Sequence, residues 1–194
     1  MILESKKILY VHIPKCAGVS IERFFGWKGL RHETLQTYAD AYSEDFLESC
    51  FKFTVVRNPW DRMVSWYFYH KSPLYEPKNK EGFQSWVKDG MPNHWKTVDG
   101  TNWAQYDALS ILDFLNNDKN IDLNYIAKVE TLDQDMERIC EKTNTVYKQL
   151  PKNNTSKSRG ISRRYYTEYY NEETKNIVKE RFKKDFLFFP YKFE

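Results

Sequence analysis

The chain has 194 residues, 41% of them hydrophobic and 17% aromatic, which is enough apolar material for one domain with a real core. At 29% charged residues it is not a disordered or low-complexity chain, and a net charge of +3 is too small to imply nucleic acid as a partner. The cysteines are Cys16, Cys50 and Cys140, an odd and scattered set that argues against a disulfide framework and for a reducing compartment; neither they nor the four histidines show metal-ligand spacing, so no metal is expected.

Along the chain, Met1 to Ile13 lacks a signal-peptide pattern, because Glu4 to Lys7 interrupt it, and no apolar run approaches the roughly 20 residues of a membrane span. The expectation is a cytoplasmic protein without a membrane span. Ile8 to Ile13 is apolar and β-branched and reads as a strand ended by Pro14, which cannot donate to a ladder. Gly18 allows a tight turn. Val19 to Gly26 is helical, and His32 to Tyr42 reads as a second helix through Leu35, Tyr38, Ala39 and Tyr42. Phe51 to Val56 is the next strand. Asn58 is a plausible N-cap and Pro59 suits the first position of a helix running to Tyr69.

Ser72 to Glu81 reads as a loop, Phe83 to Val87 as a short helix, and Gly90 to Trp103 as a long aperiodic loop of the kind that often carries function. Ala104 to Leu115 reads as helical in its first part. Tyr125 to Val129 is a third strand, and Thr131 with Gln134 suggests a capping box for a helix to Lys142. Val146 to Ile161 is a polar loop carrying most of a basic strip made of Lys152, Lys157, Arg159, Arg163 and Arg164. Asn171 caps a last helix, with acids at its start and bases at its end. Strands alternating with helices predict an α/β fold with a parallel sheet, in one domain spanning residues 1–194, with ligands bound beyond the C-terminal strand ends.

Two stretches point to chemistry. In Tyr10-Val-His-Ile-Pro-Lys-Cys-Ala-Gly-Val-Ser-Ile-Glu22 a strand, a short loop and a helix start aim backbone N–H groups at one point, and Lys15 adds a full charge. In Phe51-Lys-Phe-Thr-Val-Val-Arg-Asn-Pro-Trp-Asp-Arg-Met-Val-Ser-Trp-Tyr67 the plan repeats, with Arg57 at the strand end and Ser65 two turns into the helix. Taken singly, each is also compatible with a solvated lysine or a strand-end ion pair. Together they imply a ligand with two separated anionic groups.

These stretches resemble the 5′-phosphosulfate loop and the 3′-phosphate motif of the sulfotransferases that use 3′-phosphoadenosine 5′-phosphosulfate (PAPS), in particular the carbohydrate and Golgi-type group and its small bacterial and viral relatives. Ile126 to Leu132, Leu150 to Ser156 and Lys184 to Tyr191 resemble later family segments, with Pro190 where glycine is expected. The resemblance implies a P-loop-like three-layer fold, a central parallel sheet flanked by helices. It also implies PAPS as donor, 3′-phosphoadenosine 5′-phosphate (PAP) as product and no metal. Carried over, Lys15 meets the leaving phosphate. The backbone of Ala17, Gly18, Val19, Ser20 and Ile21, with the Ser20 hydroxyl, holds the 5′-phosphate. Arg57 and Ser65 hold the 3′-phosphate, and Asn154, Ser156, Lys157 and Arg159 either close over the adenosine and 3′-phosphate or form a solvated basic loop.

His32 is the candidate base, with Glu33 the first alternative, His70 and His94 weaker, and His12 read as structural. Trp60 reads either as an adenine-stacking surface or as core, and Glu130 as a ligand-orienting group or an ion-pair partner. The acceptor is a hydroxyl or amine, with a saccharide favoured by the subgroup resembled, and Tyr75, Trp86, Trp95, Trp103 and Tyr106 are the aromatics available to it. Competing classes are a P-loop-like nucleoside or small-molecule kinase, which lacks its G-x-x-x-x-G-K-[ST] here, and a non-catalytic nucleotide- or glycan-binding module. A nucleic-acid binder is disfavoured by the 27 acidic residues. Homodimerisation is left open.

Overall fold

The computed structural model describes residues 1–27, 32–69, 73–92, 110–151 and 165–194. In chain order its elements are β1 (Ile2–Leu3), β2 (Ile8–Val11), α1 (Gly18–Phe25), α2 (Leu35–Ala41), α3 (Glu44–Glu48), β3 (Phe51–Val56), α4 (Pro59–Tyr69), α5 (Lys80–Lys88), α6 (Ile111–Leu115), β4 (Tyr125–Lys128), α7 (Leu132–Lys142), α8 (Glu172–Arg181) and α9 (Lys183–Phe188). They fall into two compact units, Met1–Arg57 with Ile111–Asn154, and Asn58–Ser110 with Thr155–Glu194.

The first unit holds a four-stranded sheet in the order β1-β2-β3-β4. β2, β3 and β4 are parallel, with Val11 opposite Thr54 and Val56 opposite Lys128, and β1 adds an antiparallel edge. This is the expected α/β architecture, a mostly parallel sheet with helices around it. Every residue of β2 is buried, as are all of β3 after Phe51, which is why both are dominated by apolar, β-branched and aromatic residues. Lys52 and Thr54 are the polar exceptions: Lys52 Nζ donates to the carbonyls of Leu47 (2.8 Å) and Cys50 (3.1 Å), and Thr54 Oγ1 to Val11 O (2.8 Å). β1 and α3, both short, have no sequence period to announce them.

Side-chain caps fix several boundaries. Thr34 Oγ1 accepts from Thr37 N at 3.2 Å, so α2 starts at Leu35 and not at the expected His32. Asn79 Oδ1 accepts from Gly82 N (2.9 Å), which starts α5 earlier than the apolar pattern suggests. At α8 Asn171 and Thr174 cap reciprocally. The capping box expected of Thr131 and Gln134 is not made. Thr131 Oγ1 donates instead to Asp135 Oδ2 (2.7 Å). Asp135 also accepts from Lys128 N (2.9 Å) and Tyr125 Oη (2.8 Å), and Arg138 lies 3.3 Å away. One buried carboxylate thus fastens α7 to β4.

The second unit is built on α4, α5, α8, α9 and the 3₁₀ turns Pro73–Tyr75 and Tyr166–Tyr169. Its core is aromatic, including Trp60, Trp66, Tyr67, Phe83, Trp86, Tyr169 and Phe182. The polar tips find partners: Trp60 Nε1 donates to Lys175 O (3.1 Å), Trp86 Nε1 to Pro92 O (2.9 Å) and Tyr170 Oη to Trp60 O (2.8 Å). Asn58 precedes α4 as expected, its Oδ1 accepting from Trp60 N (3.1 Å) and its amide donating to Lys192 O (2.9 Å). Among the described residues no helix is long and apolar enough to cross a membrane.

Burial by itself raises the Asp135 pKa, but the hydrogen bonds from Thr131, Lys128 and Tyr125, with the Arg138 charge, bring it below the usual carboxylate value. A carboxylate lower in the folded than in the unfolded chain stabilises fully above the unfolded pKa of about 3.9 and loses that contribution as pH falls through the folded value. Asp135→Ala should therefore cost about 3 kcal/mol at pH 7, because three donors lose a buried acceptor. The deficit should shrink below about pH 3.9. Urea unfolding at pH 7 and in acid measures both; an equal deficit at the two pH values contradicts this account.

Candidate functional site

The site begins where β2 ends. His12, Ile13 and Pro14 continue the strand's path, all buried. The chain then turns through two left-handed non-glycine residues, Lys15 (φ 68°) and Ala17 (φ 62°), with Cys16 fully buried between them. Left-handed L-residues cost on the order of 1 kcal/mol each and concentrate where a loop must hold a set shape. Ala17 is the N-cap of α1, and its carbonyl accepts from Ser20 N (2.9 Å) and Ile21 N (3.3 Å). No side chain caps α1, and the amides of Ala17, Gly18 and Val19 make no hydrogen bond among the described residues. Those N–H groups sit at the positive end of the helix dipole, an arrangement that binds oxyanions.

Gly18 is needed for a reason the sequence did not disclose. Its φ is not left-handed, so it is not the flexible point of the turn. A Cβ on Gly18 would lie 1.6 Å from His12 Nε2, so the glycine makes room for a buried imidazole. His12 is 3% exposed and its Nδ1 has no hydrogen-bond partner among the described residues. Burial pushes its pKa well below the ordinary histidine value, and the nearby His32, Met1 amino group and Lys15 push the same way. The ring is thus neutral. His32, half-buried, donates from Nδ1 to the His12 carbonyl at 3.2 Å, since a carbonyl can only accept. The two rings are 4.2 Å apart between centroids. His12 is buried, as its structural reading expects, and it also lies between the loop and His32. A histidine two residues before the strand-ending proline was the available signal.

The second stretch meets the first through Arg57. It follows Val56 at the end of β3, and its Nη1 donates to Lys15 O at 3.1 Å. Residues 42 positions apart are therefore joined at adjacent parallel strand ends. Ser20 is half-buried in the first turn of α1, Val19 is half-buried and Ile21 is fully buried. Glu33 is half-buried next to His32, and Glu130 is exposed in the 3₁₀ turn after β4.

Ser65 lies in α4 of the second unit and is 9% exposed. Asn154, Ser156, Lys157, Arg159, His70, His94, Trp95, Trp103 and Tyr106 lie outside the described residues. Three aromatics weighed for ligand contact belong to the core. Trp60 is 4% exposed, its ring centroid 4.2 Å from that of Phe186 and 5.2 Å from that of Phe193, and Tyr75 and Trp86 are buried in the same cluster.

The helix start, the cation at Lys15 and the Arg57 guanidinium on parallel strand ends agree with an independent comparison. The model of the sulfotransferase family matches residues 1–192, and the chain belongs to that PAPS-dependent family, whose fold is P-loop-like. A search of the curated proteins finds no match.

Helix propensity alone predicts that Gly18→Ala gains up to about 1 kcal/mol. The contact with His12 predicts the opposite, a loss of about 2 kcal/mol from overpacking. His12→Ala in the same chain should recover part of it, a positive coupling between neighbours. Denaturant midpoints of the four chains in this cycle test the point, and additive effects would show that the ring does not oppose the new methyl.

Proposed function

We propose that the protein transfers a sulfuryl group from PAPS to a hydroxyl or amine of an acceptor and releases PAP. The observation that carries this reading is the Arg57–Lys15 contact. It supports a donor cradle made of two cations and the open amides of Ala17, Gly18 and Val19. Ser20 and Ile21 already spend their amides on Ala17 O, so Ser20 contributes its hydroxyl and Ile21 its backbone position only.

In the proposed step the acceptor oxygen or nitrogen attacks sulfur, and the bond from sulfur to the 5′-phosphate oxygen breaks. The bonding electrons stay on the phosphate, and the acceptor proton passes to His32. Charge grows on the leaving phosphate, where Lys15 and the helix start stabilise it more in the transition state than before it. The planar fork of Arg57 suits the 3′-phosphate. Ser65, Asn154, Ser156 and Arg159 are assigned to the nucleotide by their motifs alone.

The family match runs through both compact units, which supports treating the chain as one sulfotransferase domain. A saccharide is the favoured acceptor by the subgroup resembled. Three free, buried cysteines suit a reducing, cytoplasmic setting.

Labelled PAPS, incubated with the protein and a panel of saccharides, phenols and amines, should yield a sulfated product by mass spectrometry with equimolar PAP. PAP should bind with micromolar affinity, about −8 kcal/mol. Absence of both binding and transfer at low salt overturns the proposal. Binding without transfer to any acceptor leaves the non-catalytic module standing in its place.

Lys15→Ala should lower kcat by about 10²-fold, in line with the loss of one oxyanion donor. Lys15→Arg should restore only part, because a planar fork does not replace a compact point charge. A chemical step of normal rate in Lys15→Ala, in single turnovers at saturating PAPS, removes Lys15 from the mechanism.

A further inference from the structure

We propose that His12 is a positioning residue for His32: its carbonyl and its ring together hold His32 in the tautomer with the proton on Nδ1. The inference rests on the reading of His32 as the base. Three separate contacts carry it. His32 Nδ1 lies 3.2 Å from the His12 carbonyl, an acceptor that requires a proton on that nitrogen. In a neutral imidazole the lone pair is then on Nε2, the nitrogen that would take the acceptor's proton. The His12 ring meets the His32 ring at 4.2 Å and 56°, which fixes the plane in which Nδ1 reaches the carbonyl. On its other side the His12 ring is held against Gly18, where even a methyl group has no room, and it stacks on Tyr10 at 5.6 Å and 19°.

A wall of this kind must be rigid and uncharged. His12 is 3% exposed, and its Nδ1 is buried and, among the described residues, has no partner to solvate a second proton. A charged ring at this distance would also oppose protonation of His32, the event that general-base catalysis requires. The same residue touches the first residue of α1 and the candidate base, so the geometry of donor loop and base is set from one point.

The test is the tautomer itself, read by long-range ¹H–¹⁵N NMR of histidine-labelled protein at a pH where His32 is neutral, without donor or acceptor. The expected result is a protonated Nδ1 and a bare Nε2 at His32. In His12→Ala the His32 signals should move toward a mixture of tautomers, and kcat should fall about tenfold, more than PAP affinity does. His12→Phe, which restores a ring of similar breadth without a titrating group, should return both toward the original values. A wild-type His32 protonated on Nε2 overturns the proposal without any variant. So does a folded His12→Ala that keeps both tautomer and kcat. If the tautomer is locked and released as described but PAPS is neither bound nor used, the sulfuryl-transfer reading fails and the positioning role stands.

Discussion

The parallel pairing of β2 with β3 is the constraint on which the site depends. Ile8 to Val11 lie opposite Phe51 to Thr54, and the fully buried Thr54 hydroxyl donates across the pair to Val11 O at 2.8 Å. That register brings the ends of both strands to the same edge, the edge at which open parallel sheets bind ligands. Lys15 and Arg57 then meet because Arg57 directly follows β3 and Lys15 lies in the short loop that follows β2. A slip of one residue would shift Arg57 by about 3.3 Å along the strand and turn Thr54 to the opposite face. Either change would break the contact with Lys15 O.

Within that frame the loop between β2 and α1 is shaped by exclusion. Pro14 ends the ladder, and the left-handed backbone at Lys15 and Ala17 carries the chain into α1. The His12 ring occupies the place where a side chain at position 18 would stand. The result is a helix start with open amides beside a cation, and a histidine pair on the sheet side. Chemistry and packing are not separable here: the residues that hold the loop's shape also surround the atoms proposed to react.

Much of this was legible in the sequence. β3 and α4 were found to the residue, because Phe51 to Val56 is rich in aromatic and β-branched residues and Asn58-Pro59 is a strong local start signal. The two stretches from which the donor site is proposed are contiguous in sequence, so both are visible without a structure. What escaped depends on contacts between distant residues. Thr131 was expected to cap α7, but Asp135 competes for its hydroxyl as part of a network with β4. Gly18 was valued for flexibility, when its role is to leave space for a ring six positions earlier in the chain. Trp60 was weighed as a stacking surface, yet it is closed in by Phe186 and Phe193, which the sequence places more than a hundred residues away.

The central claim is that the pairing of two strand ends makes one donor site, in which Arg57 reads a phosphate and does not merely brace Lys15. Arg57→Ala measured by calorimetry against two ligands decides it. PAP carries a 3′-phosphate and adenosine 5′-phosphosulfate does not. The account predicts that PAP loses about 2 kcal/mol or more of binding free energy, as expected for a charge-assisted hydrogen-bonded contact, while the ligand without the 3′-phosphate loses much less. Equal losses for the two ligands would contradict it, and would show that Arg57 acts only through its hold on the Lys15 loop.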